Sequence, residues 1–250
     1  MPRKARAPRL YALAGVNGAG KSSVGGAMIR ASGADYFNPD EAARELIAAN
    51  PGLDQVKANA AAWQQGRRLL ERAIREHKDF AFETTLGGST MPRLLSEAAS
   101  QGFEVRIWYV GLASPDLHIE RVRNRVRAGG HDIPESSIRR RWRHSRLNLV
   151  QLLPHLTELR VYDNSSDADP AKGHAPRPVL VLQLDQGEIV GPPDLSSTPE
   201  WAKPIVAAAL KIGLNARALE STEASRVDLL HSFSRFLCNK STLGGNDSTR

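Results

Sequence analysis

The 250-residue sequence predicts an α/β fold, a parallel sheet with helices on its faces. Three observations lead there. First, the apolar stretch Leu10–Ala14 runs into a glycine-rich turn in which Gly15, Gly20, Lys21 and Ser22 fill the pattern G-x-x-x-x-G-K-[ST]. Second, Val105–Leu112 (VRIWYVGL) is an almost unbroken apolar run, as expected of a central parallel strand covered on both faces. Third, short apolar segments alternate with longer helical patterns along most of the chain, which implies parallel strands joined by right-handed crossovers.

Each element follows from local signals. Residues 1–9 form a basic tail, expected to be disordered. Leu10–Ala14 is the first strand, and a helix is expected from Lys21 to about Ala31. Ala34–Phe37 is a short strand ending in Asn38-Pro39-Asp40-Glu41, where proline fixes a turn and Asp40 stands at or near a helix N-cap. That helix reaches about Ala49 and stops at Asn50-Pro51-Gly52. Val56–His77 is a long helix with Leu69, Leu70, Ala73 and Ile74 as an apolar stripe. Phe80–Thr84 is a strand, and a helix runs from about Thr90 to Ser100. After Val105–Leu112, Ser114-Pro115-Asp116 opens a helix that ends near Ala128, before Gly129-Gly130. Pro134-Glu135 opens another, ending near Leu153, and Leu159–Tyr162 is the next strand. Val179–Leu184 and Glu188–Val190 read as a hairpin at the sheet edge. This organisation suggests a main domain over 10–190, a linker and helical extension over 191–238 with a helix from Trp201 to Ile212, and a disordered tail over 239–250.

Composition narrows the function classes. Hydrophobic residues make up 41% and charged residues 24%, as in ordinary globular proteins. The single cysteine, Cys238, allows no intramolecular disulfide, no signal-peptide pattern is visible, and no apolar run reaches membrane-spanning length. A cytoplasmic protein without membrane attachment is the expectation. The net charge of +7 suits nucleic acid or polyanionic small molecules.

The glycine-rich turn expects to hold phosphate. Its backbone from Gly15 through Asn17, Gly18, Ala19 and Gly20 to Ser23 can point N–H groups at phosphate oxygens, and the following helix adds its positive end. Lys21 would reach the β- and γ-phosphates, and the Ser22 hydroxyl would bind Mg²⁺. In an open parallel sheet the ligand sits at the carboxyl ends of the strands. Asp40, Glu83, Thr84 and Asp163 should share that edge. Asp40 can accept a proton from an attacking hydroxyl, hold Mg²⁺ through water, or simply cap its helix. Glu83, with Thr84 and Thr85, can hold a substrate hydroxyl or the metal, or merely end a strand. Arg121, Arg123, Arg125 and Arg127, then Arg139, Arg140, Arg141, Arg143 and Arg146, concentrate like charge on two successive helices. An anion would relieve that repulsion, as in a lid closing on a transferred phosphoryl group, and the alternatives are a solvated basic face or a nucleic-acid patch. His131 is a further possible phosphate contact.

Four segments in this order, GVNGAGKSS, FNPDEAAR (Phe37–Arg44), FETTL (Phe82–Leu86) and RVRNRVRAGGHDIPESSIRRRW (Arg121–Trp142), resemble the zeta-toxin-type P-loop kinases. The resemblance covers about Leu10–Ser165. It implies a P-loop kinase-like sheet with an arginine-rich lid, using ATP and Mg²⁺. Family toxins phosphorylate a hydroxyl of UDP-N-acetylglucosamine. Carried over, Lys21 and Ser22 bind ATP and Mg²⁺, Asp40 matches the general base and Glu83 a substrate-hydroxyl contact, with Arg44 in the same matched segment. Arg125, Arg127 and Arg139, with Arg121, fall in the lid. The expected activity is therefore ATP-dependent phosphorylation of a small-molecule hydroxyl, with an antitoxin protein as a possible partner. A polynucleotide kinase and a non-catalytic nucleotide-binding partner of an antitoxin are the other two readings.

Overall fold

The computed structural model of the chain describes residues 6–25, 33–166 and 177–214. The expected α/β architecture is found. Seven strands form one sheet: β1 (Arg9–Ala14), β2 (Asp35–Phe37), β3 (Phe80–Thr84), β4 (Glu104–Gly111), β5 (Glu158–Asp163), β6 (Val179–Asp185) and β7 (Glu188–Gly191). Their order is β2-β3-β1-β4-β5-β6-β7, with β1 to β5 parallel and the β6–β7 hairpin antiparallel at one edge. Strand order reverses at β1, whose neighbours are β3 and β4. The phosphate loop leaves β1 at this switch point, where such sheets open a crevice.

Helices connect the strands: α1 (Lys21–Val24), α2 (Pro39–Ala49), α3 (Gln55–Arg75), α4 (Thr90–Ser100), α5 (Pro115–Arg127) and α6 (Glu135–Leu152). The rest of the helix expected up to Ala31 lies largely outside the described residues, as do residues 1–5 and the tail over 239–250. Residues 6–9 of the expected disordered tail are instead held to the sheet: Arg6 pairs with Asp79, the Pro8 carbonyl accepts from Glu104 N–H at 2.9 Å, and Arg9 opens β1. The core runs through the sheet centre, where Leu10, Leu13, Val105, Ile107, Val110 and Leu159 are fully enclosed.

The apolar reading of β4 needs one correction. Its first half alternates, and the half-exposed face carries charge instead of apolar cover. Arg9 Nε donates to Glu104 at 2.7 Å, while Arg106 donates to Glu104 at 3.0 Å and to Glu158 at 2.6 Å. Trp108 Nε1 also reaches Glu158, at 3.2 Å. Cross-strand neighbours of opposite sign thus line this face, and a two-residue period accommodates them without disturbing the buried one.

The segment after the hairpin joins the main body. Trp201, Ala202, Ile205, Val206 and Ala209 are buried, and one compact unit spans Met1–Ala209. Trp201 packs on β4, where a Cβ at Gly111 would lie 2.3 Å from its ring. Its indole Nε1 donates to Asp163 at 3.2 Å. Residues 203–214 are helical. No helix among the described residues is long and apolar enough to cross a membrane.

Candidate active site

The phosphate loop is built from glycines where nothing else fits. Gly15, Gly18 and Gly20 have φ of 141°, 82° and 85°. A Cβ at Gly15 would stand 2.2 Å from the Val110 carbonyl oxygen, and one at Gly18 would stand 2.8 Å from that of His118. Both the backbone conformation and the close approach therefore require glycine. Gly15 N–H donates to the Thr84 carbonyl at 3.2 Å, which fixes the loop entrance to the end of β3.

Three other elements hold the loop from behind. On α5, buried His118 bonds the Asn17 carbonyl through Nδ1 at 2.9 Å, so the proton sits on Nδ1. Burial lowers this imidazole to about 4, helped by Lys21 and Arg121 and opposed by the Asn17 bond. At the end of β5, buried Asn164 donates to the Ala19 carbonyl at 2.9 Å. On α6, Arg141 donates to Asn17 Oδ1 at 2.7 Å. Its guanidinium is pushed below its usual value by burial and then by Arg140, against Asp40. Sequence reasoning missed His118 and Asn164. It named Asp163 for this edge, but Asp163 accepts from Ser165 and Trp201, and its neighbour Asn164 touches the loop.

Glu83 gathers hydroxyls at the end of β3. It is 7% exposed, and its Oε1 accepts from Ser22 Oγ at 2.9 Å, from the Tyr36 hydroxyl, and from Asn38 Nδ2 at 3.4 Å. The Ser22 hydroxyl and this carboxylate form a hard-oxygen pair. That donor set fits Mg²⁺, which keeps waters and phosphate oxygens as its other ligands. Among the described residues no group of three or more His, Cys, Asp or Glu is placed to hold a metal by itself.

Asp40 is not the cap of its helix. Asn38 is: its Oδ1 accepts from the backbone N–H of Asp40 at 2.9 Å and of Glu41 at 3.4 Å. Asp40 lies one position past Pro39, and its carboxylate stands 3.9 Å from Arg125 Nη1. Arg125 also donates to the His131 carbonyl at 3.1 Å, and a Cβ at Gly130 would lie 2.7 Å from its Cγ. It ties the end of α5, the loop before α6 and the start of α2 together. Burial lowers His131, which lines the same space, while Asp40 pulls its value upward.

The other sequence candidates are distributed as follows. Thr84 and Thr85 line the cavity described below, and their hydroxyls accept from the N–H of Leu86 and Gly87 in the turn beyond β3. Arg44 is exposed and donates to the Asp40 carbonyl at 3.3 Å. Arg121 donates to the Ser166 carbonyl at 3.3 Å. Arg139 pairs with Asp116 at the start of α5 at 2.6 Å. Arg127 is exposed and lines a separate hollow of about 370 Å³ between α5 and α6. Ser23 follows Ser22 in α1, and its side chain lies outside the described residues.

A cavity of about 770 Å³ opens beside the loop. Lys21 and Asn17 reach it from the phosphate loop, and Asp40, Glu83 and Arg141 line it with them. Its far wall is α3, through Gln55, Val56, Asn59 and Trp63.

A glycine-framed phosphate loop at the switch point of a parallel sheet, opening on a deep cavity, defines the P-loop kinase-like class of nucleotide-binding fold. The family model AAA_33, described as AAA domain, matches residues 10–146, and the chain belongs to that family. A Haemophilus influenzae protein named only as uncharacterized is 30% identical over 132 residues, which is 51% of this chain and 88% of that protein. The crystal structure of AvrRxo1-ORF1:AvrRxo1-ORF2 with sulphate ions matches with a TM-score of 0.57 at 15% identity, over 81% of this chain and 63% of that one. The same complex with ATP matches equally. The chain thus spans less than two thirds of those chains, and at this identity the likeness is one of fold.

Proposed function

We propose that the chain is a kinase that moves the γ-phosphoryl group of ATP to a hydroxyl of a small molecule. A UDP-N-acetylated amino sugar is the first candidate acceptor. One observation carries this reading: the phosphate loop and two carboxylates, Asp40 and Glu83, line the same 770 Å³ cavity. Such a volume is in the range of sites that enclose a small ligand.

The roles follow from placement. The loop's N–H groups and Lys21 take the phosphates, and Ser22 with Glu83 would hold Mg²⁺. Mg²⁺ held there would supply charge neutralisation for the transferred phosphoryl group. Asp40, released from capping by Asn38, is free to take the acceptor's proton. The hydroxyl oxygen then bonds the γ-phosphorus as the bond to the bridging oxygen of ADP breaks. Arg141, held by Asn17 and largely desolvated, faces the same cavity as a fixed positive charge. The ATP in the AvrRxo1 complex supports ATP as the donor for this shared fold.

A nucleic-acid kinase is the second reading, favoured by the net charge of +7. One experiment separates them. The purified chain is incubated with ATP, Mg²⁺ and a panel of sugar nucleotides, free sugars and a 5′-hydroxyl oligonucleotide, and mass spectrometry reads the gain of one phosphate. Phosphorylation of a small acceptor, lost in a folded Lys21→Ala variant, is expected. Transfer to the oligonucleotide alone selects the second reading. Wild-type transfer by folded Lys21→Ala overturns the phosphate-loop assignment.

A further inference from the structure

Trp201 stands outside the residues that match the family model, in the segment that follows the edge hairpin. Its side chain is 3% exposed, and its neighbour Ala202 is fully enclosed. A tryptophan so buried is ordinarily a core residue and nothing more. Its surroundings give this one a further task.

The end of β4 is shaped to admit it. Gly111 has no left-handed φ that would call for glycine. What is missing there is room for a side chain. A Cβ would stand 2.3, 2.5 and 2.7 Å from three atoms of the six-membered indole ring. Both polar groups that Trp201 turns to its neighbours are also engaged. Its Nε1 donates to Asp163 Oδ1 at 3.2 Å, and its carbonyl accepts from Arg146 Nη1 at 3.2 Å.

The first of these bonds leads to the phosphate loop through β5. Asp163 Oδ1 also accepts from the Ser165 N–H at 3.2 Å and from the Ser165 hydroxyl, and Ser165 Oγ accepts from the Ala113 N–H at 2.7 Å. Asn164 lies between them. Its N–H donates to the Gly111 carbonyl at 3.0 Å, and its side-chain amide donates to the Ala19 carbonyl at 2.9 Å. That amide cannot be turned over, because its Oδ1 would then face the Ala19 carbonyl, two acceptors together. The bond to the loop is therefore set by where the backbone at the end of β5 stands. Trp201 touches both residues that fix this backbone, Gly111 and Asp163.

The second route runs through α6. Arg146 lies over the Trp142 ring at 3.5 Å, and its Nε donates to the Trp142 carbonyl at 3.1 Å. Trp142 Nε1 reaches the Leu112 carbonyl at 3.4 Å. One residue earlier, Arg141 donates to Asn17 Oδ1 at 2.7 Å. Asn17 and Ala19 both belong to the phosphate loop, so the two routes from Trp201 end on the same turn.

We infer that Trp201 is a positioning residue for the phosphate loop. It locks the ends of β4 and β5 together and, through Arg146, holds α6 to them, so that Asn164 and Arg141 meet the loop at Ala19 and Asn17. The inference rests on the phosphate-loop part of the kinase reading and on none of its chemistry. Loss of the lock loosens the loop before it loosens the sheet, since local opening needs fewer broken contacts than global unfolding.

Three variants test this. Trp201→Phe keeps an aromatic ring and the backbone carbonyl but donates nothing to Asp163. Gly111→Ala leaves Trp201 in place in the sequence and drives its ring from β4. Phe80→Leu, buried at the start of β3 and so at the far end of that strand from the loop, controls for lost packing alone. Without nucleotide, mass spectrometry follows hydrogen exchange in the peptides that contain the Gly15 and Ala19 amides, which bond the Thr84 and Val16 carbonyls. Calorimetry gives the affinity for ADP, and melting temperatures are recorded alongside. In Trp201→Phe the two amides should exchange about 2- to 10-fold faster and ADP should bind about 2- to 10-fold more weakly, the span for losing one hydrogen bond. Gly111→Ala should do at least as much. Phe80→Leu should lower the melting temperature while loop exchange and ADP affinity stay those of wild type. Wild-type exchange and affinity in folded Trp201→Phe and Gly111→Ala overturn the inference. So does an equal effect of Phe80→Leu at equal loss of melting temperature, because Trp201 would then be an ordinary core residue. If wild type binds no ADP, the phosphate-loop reading fails, and the exchange data still decide whether Trp201 positions the loop.

Discussion

At the scale of single residues, Asp40 and Asn38 separate two roles that the sequence allowed one residue to combine. Because Asn38 caps α2, Asp40→Asn leaves the cap intact. The variant should fold and bind ATP normally, yet transfer should fall by about 100-fold or more through loss of the base. Added Mg²⁺ should not restore it. Single-turnover rates at several Mg²⁺ concentrations check this, and a wild-type rate would remove the base assignment. His118 makes a prediction of another kind. Its folded value of about 4 lies below the ordinary 6.5, so the unfolded chain binds the extra proton first. The stability it protects is complete above pH 6.5 and is lost as pH falls toward 4, by about 3 kcal/mol in all. His118→Asn keeps a donor for the Asn17 carbonyl but does not titrate. Its melting temperature should fall less steeply than that of wild type between pH 6.5 and 4, and parallel curves would refute the buried-histidine account.

At the scale of elements, the region from α5 to α6 divides into arginines that touch the site and arginines that do not. Arg125 links Asp40, the His131 carbonyl and Gly130, whereas Arg127 is exposed beside the second hollow. Arg125→Ala should therefore lower kcat by about tenfold or more, some 1.4 kcal/mol, with little change in KM for ATP. Arg127→Ala should leave both near wild type. Kinetics of the two variants side by side check this, and equal losses would mean that both arginines act through general charge.

At the scale of the whole molecule, the succession of strands and helices was legible because each local signal agreed with the global one. The phosphate loop, the apolar β4, the Pro-Asp start of α2 and the edge hairpin could all be read by inspection. What escaped depends on contacts distant in sequence. Asn164 and Asp163 differ by one residue at a strand end, and the bonds from Ser165 and Trp201 take up Asp163 while Asn164 reaches the loop. His118 has no local sign of its bond to residue 17, across 101 positions. The buried small residues of α3, Ala58, Ala62 and Gly66, were unreadable because alanine suits any face of a helix. The charged face of β4 was overlooked because Arg106 is a lone charge in an almost unbroken apolar run, and its partner Glu158 stands on another strand.

The bonds from His118, Asn164 and Arg141 to the phosphate loop have a thermodynamic consequence. A nest whose walls are fastened to three other elements need not be ordered by what enters it. Anion capture should then carry little coupled folding and only a small heat-capacity change. Pyrophosphate, with no base or sugar, should suffice to stabilise the chain. At a hundred times its dissociation constant it would add about 2.7 kcal/mol, or about 5–10 °C of melting temperature for a domain of this size. Differential scanning fluorimetry with pyrophosphate and with adenosine distinguishes the outcomes. A shift from adenosine but none from pyrophosphate would mean that the nest takes form only around the complete nucleotide.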